Sequence, residues 1–387
     1  MATIKDAMYV LRALKKSGYE AFFVGGCVRD YLMKKDSNDI DITTNAKPHE
    51  VMKVFKKAKP TGIQYGTVSI PNENYSIEIT TYRKDGVYID NRHPETVEEV
   101  LTVEEDVKRR DFTINGLVMN DAMQIFDHVG GKDDIKNKMI RAIGEPTERF
   151  NEDALRILRA VYFQAKFGFQ IEKNTRTAME EQKELIHNLA KERVLNETLK
   201  ILKEKEQLKA LKTLDTTGIS RILPGLDKGI KYIVETQKEP LFIDTFFALC
   251  FTLNGSVPSE WKFSNVAKNK YEKTVHLVNM RRPLTDVDLF TYGLEICLLA
   301  NKVSFLLNYT PFQKQALEKR FETLPIKSSL DLKFRANDLI QLLNKKQGAW
   351  VSKYIDELTI LVLEQKIENT YDSIKAYVLK KEANHEK

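Results

Sequence analysis

The chain has 387 residues, which is too long for one ordinary domain of about 100–200 residues. Hydrophobic residues make up 42% and charged residues 30%, so there is enough apolar material for a core and global disorder is excluded. No segment resembles a membrane span, which needs about 18 consecutive apolar residues, and the net charge of +6 permits a polyanionic partner without requiring one.

The first 144 residues have the pattern of a mixed α/β region, and they hold ten of the 17 glycines. Apolar residues recur at helical spacing before Gly18 and predict an N-terminal helix. Its apolar positions are Ile4, Ala7, Met8, Leu11 and Leu14. Short runs with strand character follow at residues 21–24, 39–43, 67–70 and 76–82. Pro48 is placed to begin a further helix that extends to Phe55.

From about Glu145 onward the pattern is helical, with turn signals such as Pro224-Gly225 and Asn254-Gly255 between the helices. No internal repeat of fixed period is present. The sequence therefore predicts an α+β fold, in which a small mixed-sheet head is followed by a long all-helical region.

The three cysteines are Cys27, Cys250 and Cys297, an odd number at wide spacing. They form neither a disulfide framework nor a CxxC metal motif. The N-terminal segment has an amphipathic helical pattern and lacks the uninterrupted apolar core of a signal peptide. We therefore expect a cytoplasmic protein, because a reducing compartment suits unpaired cysteines.

A pair of glycines, Gly25-Gly26, follows the predicted strand at 21–24 and precedes a helical pattern that contains Arg29 and Asp30. Glycines at a strand-to-helix turn allow the backbone to approach a phosphate closely. The simpler interpretation is a tight turn. The pattern matches neither the dinucleotide-binding fingerprint nor the P-loop.

Two aspartates, Asp39 and Asp41, follow thirteen residues after the glycine pair. Residues i and i+2 of a strand point to the same face, so both carboxylates project together. Two like charges this close are unfavourable without a cation, and hard oxygen ligands suit Mg²⁺. The alternative for an isolated pair of this kind is a solvated strand end.

Taken together, the two elements form the pattern GG-x-V-R-D followed by D-I-D. This pattern resembles the signature of the nucleotidyltransferase superfamily that includes DNA polymerase β. The closer resemblance is to the class II tRNA nucleotidyltransferases, the CCA-adding enzymes, and to the related bacterial poly(A) polymerases. The resemblance implies that Asp39 and Asp41 hold two Mg²⁺ ions and that Gly26 and Arg29 hold the triphosphate of a nucleotide.

Residues 109–115, RRDFTIN, are similar to the RRDFTxN motif of that family. The resemblance implies that Arg110, with Asp111, holds the ribose of the nucleotide, since an arginine and a carboxylate can engage both hydroxyl groups. A salt-bridged turn is the alternative for such a segment in isolation. Residues 126–135 resemble a hinge element of the family, with His128 where proline is usual.

Residues 152–159, EDALRILR, are similar to the family's EDxxRxxR motif. Asp153 and Arg156 are predicted to be neighbours on one helix face. A carboxylate and a guanidinium together match the amino donor and ring-nitrogen acceptor of cytosine and adenine. Uracil and guanine would leave polar groups unpaired, at a cost of about 1–3 kcal/mol each. An intrahelical ion pair is the alternative.

The same resemblance assigns Arg159 to a phosphate or base-edge contact, whereas Tyr162 stands where the family has arginine. The polar segment 83–98 resembles the loop that the family needs for the switch from C to A addition, and its full length favours complete CCA addition. Glu78 is a candidate for a further carboxylate near the metals. Residues 192–197, ERVLNE, resemble the family's last motif and are predicted to buttress the nucleotide pocket.

The resemblance implies four parts: a nucleotidyltransferase head at residues 1–139, a neck that recognises the base at 140–203, and a tRNA-binding body at 204–285 and tail at 286–387. The predicted activity is template-independent addition of C, C and A to the tRNA 3′ end from CTP and ATP, releasing pyrophosphate. A CC-adding or A-adding enzyme, a poly(A) polymerase and a non-catalytic tRNA-binding protein are the alternatives.

The partners expected from the resemblance are the acceptor arm and 3′ end of tRNA, together with CTP and ATP. No membrane partner is expected. The sequence leaves the oligomeric state open, a homodimer included.

Overall fold

The structure is a computed structural model that describes residues 4–37, 39–71, 76–85, 97–100 and 102–385. These residues form two compact units. The first unit runs to Leu241 and also includes Glu260–Lys262, and the second comprises Phe242–Ser259 and the residues from Phe263 onward. The finer division into head, neck, body and tail stays a prediction.

The strands all belong to the first unit. In the described residues they are β1 (Ala21–Val24), β2 (Ile40–Thr44), β3 (Lys59–Gly62), β4 (Thr67–Pro71), β5 (Ser76–Thr81), β6 (Arg83–Asp85), β7 (Val97–Glu99), β8 (Leu117–Met119), β9 (Ile125–Asp127), β10 (Met139–Ile140) and β11 (Gln170–Ile171).

Seven of these strands form one mixed sheet with the order β3-β4-β5-β2-β1-β8-β9. Strands β2 and β5 are parallel, and the other neighbours are antiparallel. Strand β2 is therefore central, with Asp41 in register with Val24 on one side and Glu78 on the other. The pairs β6–β7 and β10–β11 form two small separate sheets.

The helices of the first unit are α1 (Ile4–Lys16), α2 (Gly26–Leu32), α3 (Pro48–Val54), α4 (Val103–Lys108), α5 (Gly131–Lys136), α6 (Pro146–Glu152), α7 (Leu155–Phe167), α8 (Lys173–Gln182), α9 (Lys191–Lys203), α10 (Gln207–Thr216) and α11 (Asp227–Thr236). The helices of the second unit are α12 (Ile243–Asn254), α13 (Asn265–Asn279), α14 (Asp286–Leu306), α15 (Lys314–Glu322), α16 (Ala336–Leu343), α17 (Ala349–Leu363) and α18 (Tyr371–His385).

The main core of the first unit lies between the sheet and the N-terminal helix α1. The apolar face of α1 is buried as its spacing predicts, with Ala7, Leu11 and Leu14 at most 1% exposed. They pack with Phe23 and Ile42 of the central strands. Burial of each such large side chain contributes about 1.5–3 kcal/mol, so this packing fixes the sheet on which the site is built. The predicted α+β fold class is confirmed.

The second unit is helical throughout its described residues. Helix α14 has the length and apolar composition of a membrane-crossing helix, but Gly293 interrupts its helical backbone. Helix α14 packs against α12, α13 and α15 within the unit. An aromatic group of Phe247, Phe251 and Tyr271 joins α12 to α13, with ring centroids 5.6–5.9 Å apart.

Candidate active site

A cavity of about 640 Å³ lies in the first unit, and all nine residues predicted from the sequence to form a site line it. These residues are Gly26, Arg29, Asp39, Asp41, Arg110, Asp111, Asp153, Arg156 and Arg159. They come from segments up to 133 positions apart, so the fold brings together motifs that are separate in the sequence.

The turn between β1 and α2 requires glycine at its first position. Gly25 has φ 73° and ψ −130°, a conformation that L residues avoid. A Cβ atom at Gly25 would lie 3.4 Å from Nη1 of Arg110 and 3.6 Å from Oδ2 of Asp41. The turn therefore brings backbone, a carboxylate and a guanidinium close together on one wall of the cavity.

The two predicted metal-binding carboxylates lie at the start of the central strand. Asp39 immediately precedes β2 and is exposed, whereas Asp41 lies within β2 and is half-buried. Burial raises the pKa of Asp41 to about 6, with Glu78 and Asp39 adding to the effect and Arg110 opposing it. The charged form of Asp41 is thus disfavoured by its surroundings, which is the condition that a bound cation relieves.

The carboxylates of Asp39 and Asp41 are suitable ligands for a Mg²⁺ ion that also binds the phosphates of a nucleotide. Within the described part of the chain, no three His, Cys, Asp or Glu side chains converge closely enough to enclose a metal by themselves. Mg²⁺ is commonly held by one or two carboxylates, with phosphate oxygens and water completing its shell. Asp39 and Asp41 can supply the protein part of such a shell, while Glu78 is exposed beside Asp41.

A buried aspartate that the sequence analysis did not single out organises the arginine pair. Asp106 of α4 is fully buried and accepts hydrogen bonds from Arg109 at 2.8 Å, Arg110 at 3.2 Å and the Thr43 hydroxyl at 3.0 Å. Burial alone would raise the pKa of Asp106, but Arg109 and Arg110 hold it below its ordinary value. Nε of Arg110 is buried and has no hydrogen-bond partner among the described residues, whereas its Nη1 lies beside Gly25 on the wall of the cavity.

The carboxylate of Asp111 is hydrogen-bonded to the guanidinium of Arg159. Its Oδ2 accepts from Nε of Arg159 at 2.8 Å and from Nη2 at 2.5 Å, while its Oδ1 accepts from Nδ2 of Asn115 at 2.9 Å. Burial would raise the pKa of Asp111, but Arg159 and Asn115 hold it low. The carboxylate that the resemblance assigns to the ribose thus also positions Arg159.

Asn115 connects this pair to the glycine turn. Its Oδ1 accepts a hydrogen bond from Nη1 of Arg29, and Arg29 also forms an ion pair with Asp30 at 2.8 Å. Arg29 is only 3% exposed, so its guanidinium is fixed in the wall of the cavity. Asn115 lies within the predicted motif, but its linking role could not be assigned from the sequence.

The prediction that Asp153 and Arg156 share one helix face is wrong. Helix α6 ends at Glu152, and Asp153 has φ −142° and ψ 101° in the break before α7. Its Oδ1 accepts from the backbone N–H of Leu155, the first residue of α7, at 3.0 Å, and Ala154 is the N-cap residue of that helix. Its Oδ2 accepts from Nη2 of Arg193 on α9 at 2.9 Å. The intrahelical ion pair with Arg156 is absent from the described contacts.

Arg156 is held by other groups. Its Nη1 donates to Glu152 at 2.7 Å and to the carbonyl of Arg149 at 3.0 Å, and its Nη2 donates to the carbonyl of Arg109 at 3.0 Å. Asp153 and Arg156 still line the same cavity. Each carboxylate oxygen has two acceptor positions, so Asp153 can accept a base amino group while it remains bonded to Leu155 and Arg193.

Several parts of the site were not identified from the sequence. Lys166 and Lys200 line the cavity beside Tyr162, and no local pattern pointed to them. The polar segment 83–98 contributes β6 and β7, which pair antiparallel, although no strand was predicted there. Residues 86–96 of that segment lie outside the described residues.

The predicted hinge contains a carboxylate cap. The carboxylate of Asp127 accepts four backbone N–H groups of residues 129–132 at 2.8–3.1 Å. These bonds hold the pKa of Asp127 low against the effect of its partial burial. His128 lies 3.7 Å from Glu104 at the surface and does not line the cavity.

Comparison with known proteins places the chain in a family. Residues 21–141 match the model of the poly A polymerase head domain. Residues 168–230 match the model described as the probable RNA and SrmB-binding site of polymerase A, and residues 244–378 match the model of tRNA nucleotidyltransferase domain 2. A CCA-adding enzyme of Anoxybacillus flavithermus is 35% identical over 97% of this chain and 96% of its own length.

This chain belongs to the CCA-adding enzyme family. The CCA-adding enzyme of Oceanobacillus iheyensis is 36% identical over 96% of each protein. The solved structure of the Bacillus stearothermophilus CCA-adding enzyme in complex with CTP has a TM-score of 0.83 and 31% identity, covering 99% of this chain and 98% of that chain. The fold of a CCA-adding enzyme thus extends over the whole chain and not only over the motifs.

Proposed function

We propose that this protein adds C, C and A stepwise to the 3′ end of tRNA, using CTP and ATP and no nucleic-acid template. The observation that carries the proposal is the single cavity that Asp39, Asp41, Asp153 and Arg156 line together. One pair supplies carboxylates for metal-assisted phosphoryl chemistry, and the other supplies an acceptor and a donor for a base edge. The related CCA-adding enzymes and the CTP complex of one of them support this assignment.

The reaction is an in-line attack of the tRNA 3′-hydroxyl on the α-phosphorus of the nucleotide. The 3′ oxygen loses its proton and bonds to phosphorus, while the bond to the β-phosphate oxygen breaks and pyrophosphate leaves. Two Mg²⁺ ions held by Asp39 and Asp41 supply the activation of the hydroxyl and the stabilisation of the leaving group when they are bound. Gly26 and Arg29 hold the triphosphate, and Arg110 holds the ribose.

Asp153 and Arg156 select the base. Cytosine and adenine both place an amino donor beside an unprotonated ring nitrogen, which complements a carboxylate and a guanidinium. Asp153 is fixed by two hydrogen bonds and Arg156 by three, so the pair is rigid before a nucleotide arrives. A rigid pair discriminates better than a mobile one, because it cannot rotate to satisfy uracil or guanine.

The alternative enzyme activities differ in the nucleotides that they add to the RNA 3′ end. A CC-adding or an A-adding enzyme would share the whole cavity, and a poly(A) polymerase would share its carboxylates. The polar segment 83–98 and the similarity to CCA-adding enzymes along the whole chain favour complete CCA addition. We place the enzyme in the cytoplasm, with the helical body and tail holding the acceptor arm of tRNA, and leave a homodimer open.

The test uses purified protein, Mg²⁺ and a tRNA that ends before CCA, with CTP alone, ATP alone or both, and product length measured on a gel. Complete CCA addition gives two additions with CTP and a third only when ATP is present. Arrest after two additions would indicate a CC-adding enzyme, and a single A on tRNA ending in CC would indicate an A-adding enzyme. A long A ladder would indicate a poly(A) polymerase, and tRNA binding without extension would contradict catalysis altogether.

A further inference from the structure

Three cations surround the ring of Phe167 at the end of helix α7. Cζ of Arg29 lies 4.6 Å from the ring centroid, Nζ of Lys35 lies 5.2 Å from it, and Nζ of Lys166 lies 5.4 Å from it. The ring face attracts each cation but does not neutralise it. Arg29 is buried, Lys166 is half-buried and Lys35 is exposed, so the two lysines carry the accessible positive charge.

Two of the three cations in this group have no acidic partner among the described residues. Arg29 forms an ion pair with Asp30 at 2.8 Å. For Lys35 and Lys166, no carboxylate oxygen of a described residue lies within 4 Å of the ammonium nitrogen. Like charges that are held together without counter-charges create a positive potential that an anion relieves. The group therefore has the charge required for a compact polyanion.

A pair of lysines, Lys166 and Lys200, flanks the ring of Tyr162, and these three residues line the cavity, whereas Lys35 and Phe167 do not. Nζ of Lys166 is 5.9 Å and Nζ of Lys200 is 5.8 Å from the ring centroid of Tyr162. Lys200 is paired with Glu197 at 2.9 Å, so Lys166 is the cation that brings the unbalanced charge. Tyr162 stands where the resemblance implies arginine, and Lys166 is one helical turn further along α7. The positive charge missing at Tyr162 is thus supplied by its neighbour.

The position of Lys166 within the cavity indicates which anion it would bind. Arg29, Tyr162, Lys166 and Lys200 all line the cavity that also contains Asp41. Arg29 belongs to the helix that follows the Gly25 turn, which is the side assigned to the triphosphate. A triphosphate carries several charges on a short chain, which suits several cations on one wall better than a single backbone phosphate of RNA does.

We propose that Lys166, supported by Lys200 on the other side of the Tyr162 ring, binds the β- and γ-phosphates of the incoming nucleotide and the departing pyrophosphate. This inference rests on the proposed function, because it takes the cavity to be the nucleotide site. It adds two lysines from outside the sequence motifs to the triphosphate site of Gly26 and Arg29.

The test measures binding of inorganic tripolyphosphate, which has neither base nor ribose, by calorimetry on the full chain. Lys166→Met should weaken tripolyphosphate binding by about tenfold, and Lys166→Arg should restore it to within about twofold of the unmodified protein. Lys203→Met is the matched control, since Lys203 lies on α9 three positions after Lys200 and does not line the cavity. It should leave binding unchanged, and thermal melting checks that each variant folds.

Kinetics and tRNA binding complete the test. In Lys166→Met the KM values for CTP and ATP should rise by the same factor, because both nucleotides share the polyphosphate, and tRNA affinity in a gel-shift assay should stay unchanged. Equal tripolyphosphate affinity in the unmodified protein and Lys166→Met would overturn the inference. So would weakened tRNA binding with normal tripolyphosphate binding, which would assign Lys166 to the RNA backbone.

The binding measurement is independent of turnover. If the unmodified protein adds CCA while Lys166→Met binds tripolyphosphate normally, only this inference fails. If the unmodified protein extends no tRNA, the proposed function fails, and the calorimetric comparison still decides whether Lys166 binds polyphosphate.

Discussion

Nη2 of Arg193 donates a hydrogen bond to Oδ2 of Asp153 over 2.9 Å, although the two residues are 40 positions apart in the chain. Both side chains are mostly shielded from solvent, at 19% and 17% exposure. Because Oδ1 of Asp153 is bonded to the N–H of Leu155, Arg193 completes the fixation of this carboxylate. The arginine of the last motif thus positions the carboxylate that we propose as the acceptor for the base.

Replacement of Arg193 tests this positioning role. Arg193→Met should reduce the preference for CTP over UTP, measured as the ratio of kcat/KM values, by about tenfold, because loss of one charged hydrogen bond of about 1.5–3 kcal/mol frees Asp153 to rotate. Arg193→Lys should recover part of the preference. Arg176→Met removes an exposed ion pair with Glu180 on α8 and should not change it. A uniform fall in activity with unchanged selectivity would show that Arg193 serves only stability.

Arg156 should directly affect which nucleotides the enzyme incorporates. Arg156→Ala removes the donor for the ring nitrogen, so incorporation of UTP and GTP should rise relative to CTP and ATP, while tRNA affinity changes little. The loss of Arg156 also frees Glu152 and two backbone carbonyls, so the melting temperature should fall. Primer extension with each nucleotide separately measures the selection. Unchanged rejection of UTP and GTP by a folded Arg156→Ala protein would remove Arg156 from base recognition.

The sequence identified those site residues whose relationship is local. Gly25-Gly26 follows a strand directly, and Asp39 and Asp41 are two positions apart at the start of another, although Asp39 precedes β2 and the predicted strand began one residue too early. A few neighbouring residues thus place these groups. Asp153 was placed wrongly, because the spacing of three from Arg156 suggested one continuous helix. In the structure α6 ends at Glu152 and α7 begins at Leu155, so Asp153 lies between the two helices.

The remaining partners depend on distant contacts. Asp106 reaches Thr43 across 63 positions, and Arg193 reaches Asp153 across 40. The sheet order and the packing of α9 against α7 decide these contacts, and no local periodicity encodes them. Lys166 and Lys200 come together around Tyr162 for the same reason. The fold class could be predicted from composition and pattern, whereas the support around the site could not.

The protonation state of Asp41 should control activity at low pH. Its pKa is raised to about 6 by burial and by Glu78 and Asp39, and the protonated acid is a poor ligand for Mg²⁺. We expect kcat/KM for CTP to fall as the pH drops through about 6. A higher Mg²⁺ concentration should move the midpoint to lower pH, because the metal competes with the proton. A midpoint that does not respond to Mg²⁺ would exclude Asp41 as a ligand.

The raised pKa of Asp41 should also affect the stability of the protein. A carboxyl whose folded pKa lies above its unfolded value contributes stability below the unfolded pKa and loses it as the pH rises through the folded pKa. Asp41→Asn should therefore raise the melting temperature at pH 7.5 by about 2–4 °C, with the gain absent near pH 3.5, and should abolish incorporation. Asp133→Asn, at an exposed position on α5, should change neither quantity.

Gly25 should be intolerant of a side chain for two separable reasons. Its positive φ disfavours any L residue, at a cost of about 1–3 kcal/mol, and a Cβ atom would contact Nη1 of Arg110 at 3.4 Å and Oδ2 of Asp41 at 3.6 Å, so relief of the backbone strain would displace these two residues. Gly18 also has a positive φ of 88°, but a Cβ atom there meets nothing within 4 Å. Gly18→Ala should therefore lower the melting temperature with little effect on kcat, whereas Gly25→Ala should lower both. Equal kcat values in the two variants would contradict the close approach at Gly25.

Asp106 should determine both the stability of the first unit and the affinity for nucleotides. Asp106→Asn leaves Arg109 and Arg110 beside a neutral, fully buried group, and loss of one partner of a buried ion pair costs about 3 kcal/mol or more. The lowered pKa of Asp106 means that its stabilising contribution is present above the unfolded pKa of about 3.9 and is lost as the pH falls through the folded value. The difference in melting temperature between Asp106→Asn and the unmodified protein should therefore be large at pH 7 and should shrink in strong acid.

The matched control for this change is Asp134→Asn. Asp134 is also buried, accepts from the Thr113 hydroxyl at 2.7 Å and from Arg141 at 3.1 Å, and does not line the cavity. Both variants should melt at a lower temperature, but only Asp106→Asn should raise the KM for CTP and ATP, because only Asp106 orients Arg110 beside Gly25. An equal KM in the two variants, at a temperature where both are folded, would show that Arg110 is positioned without Asp106.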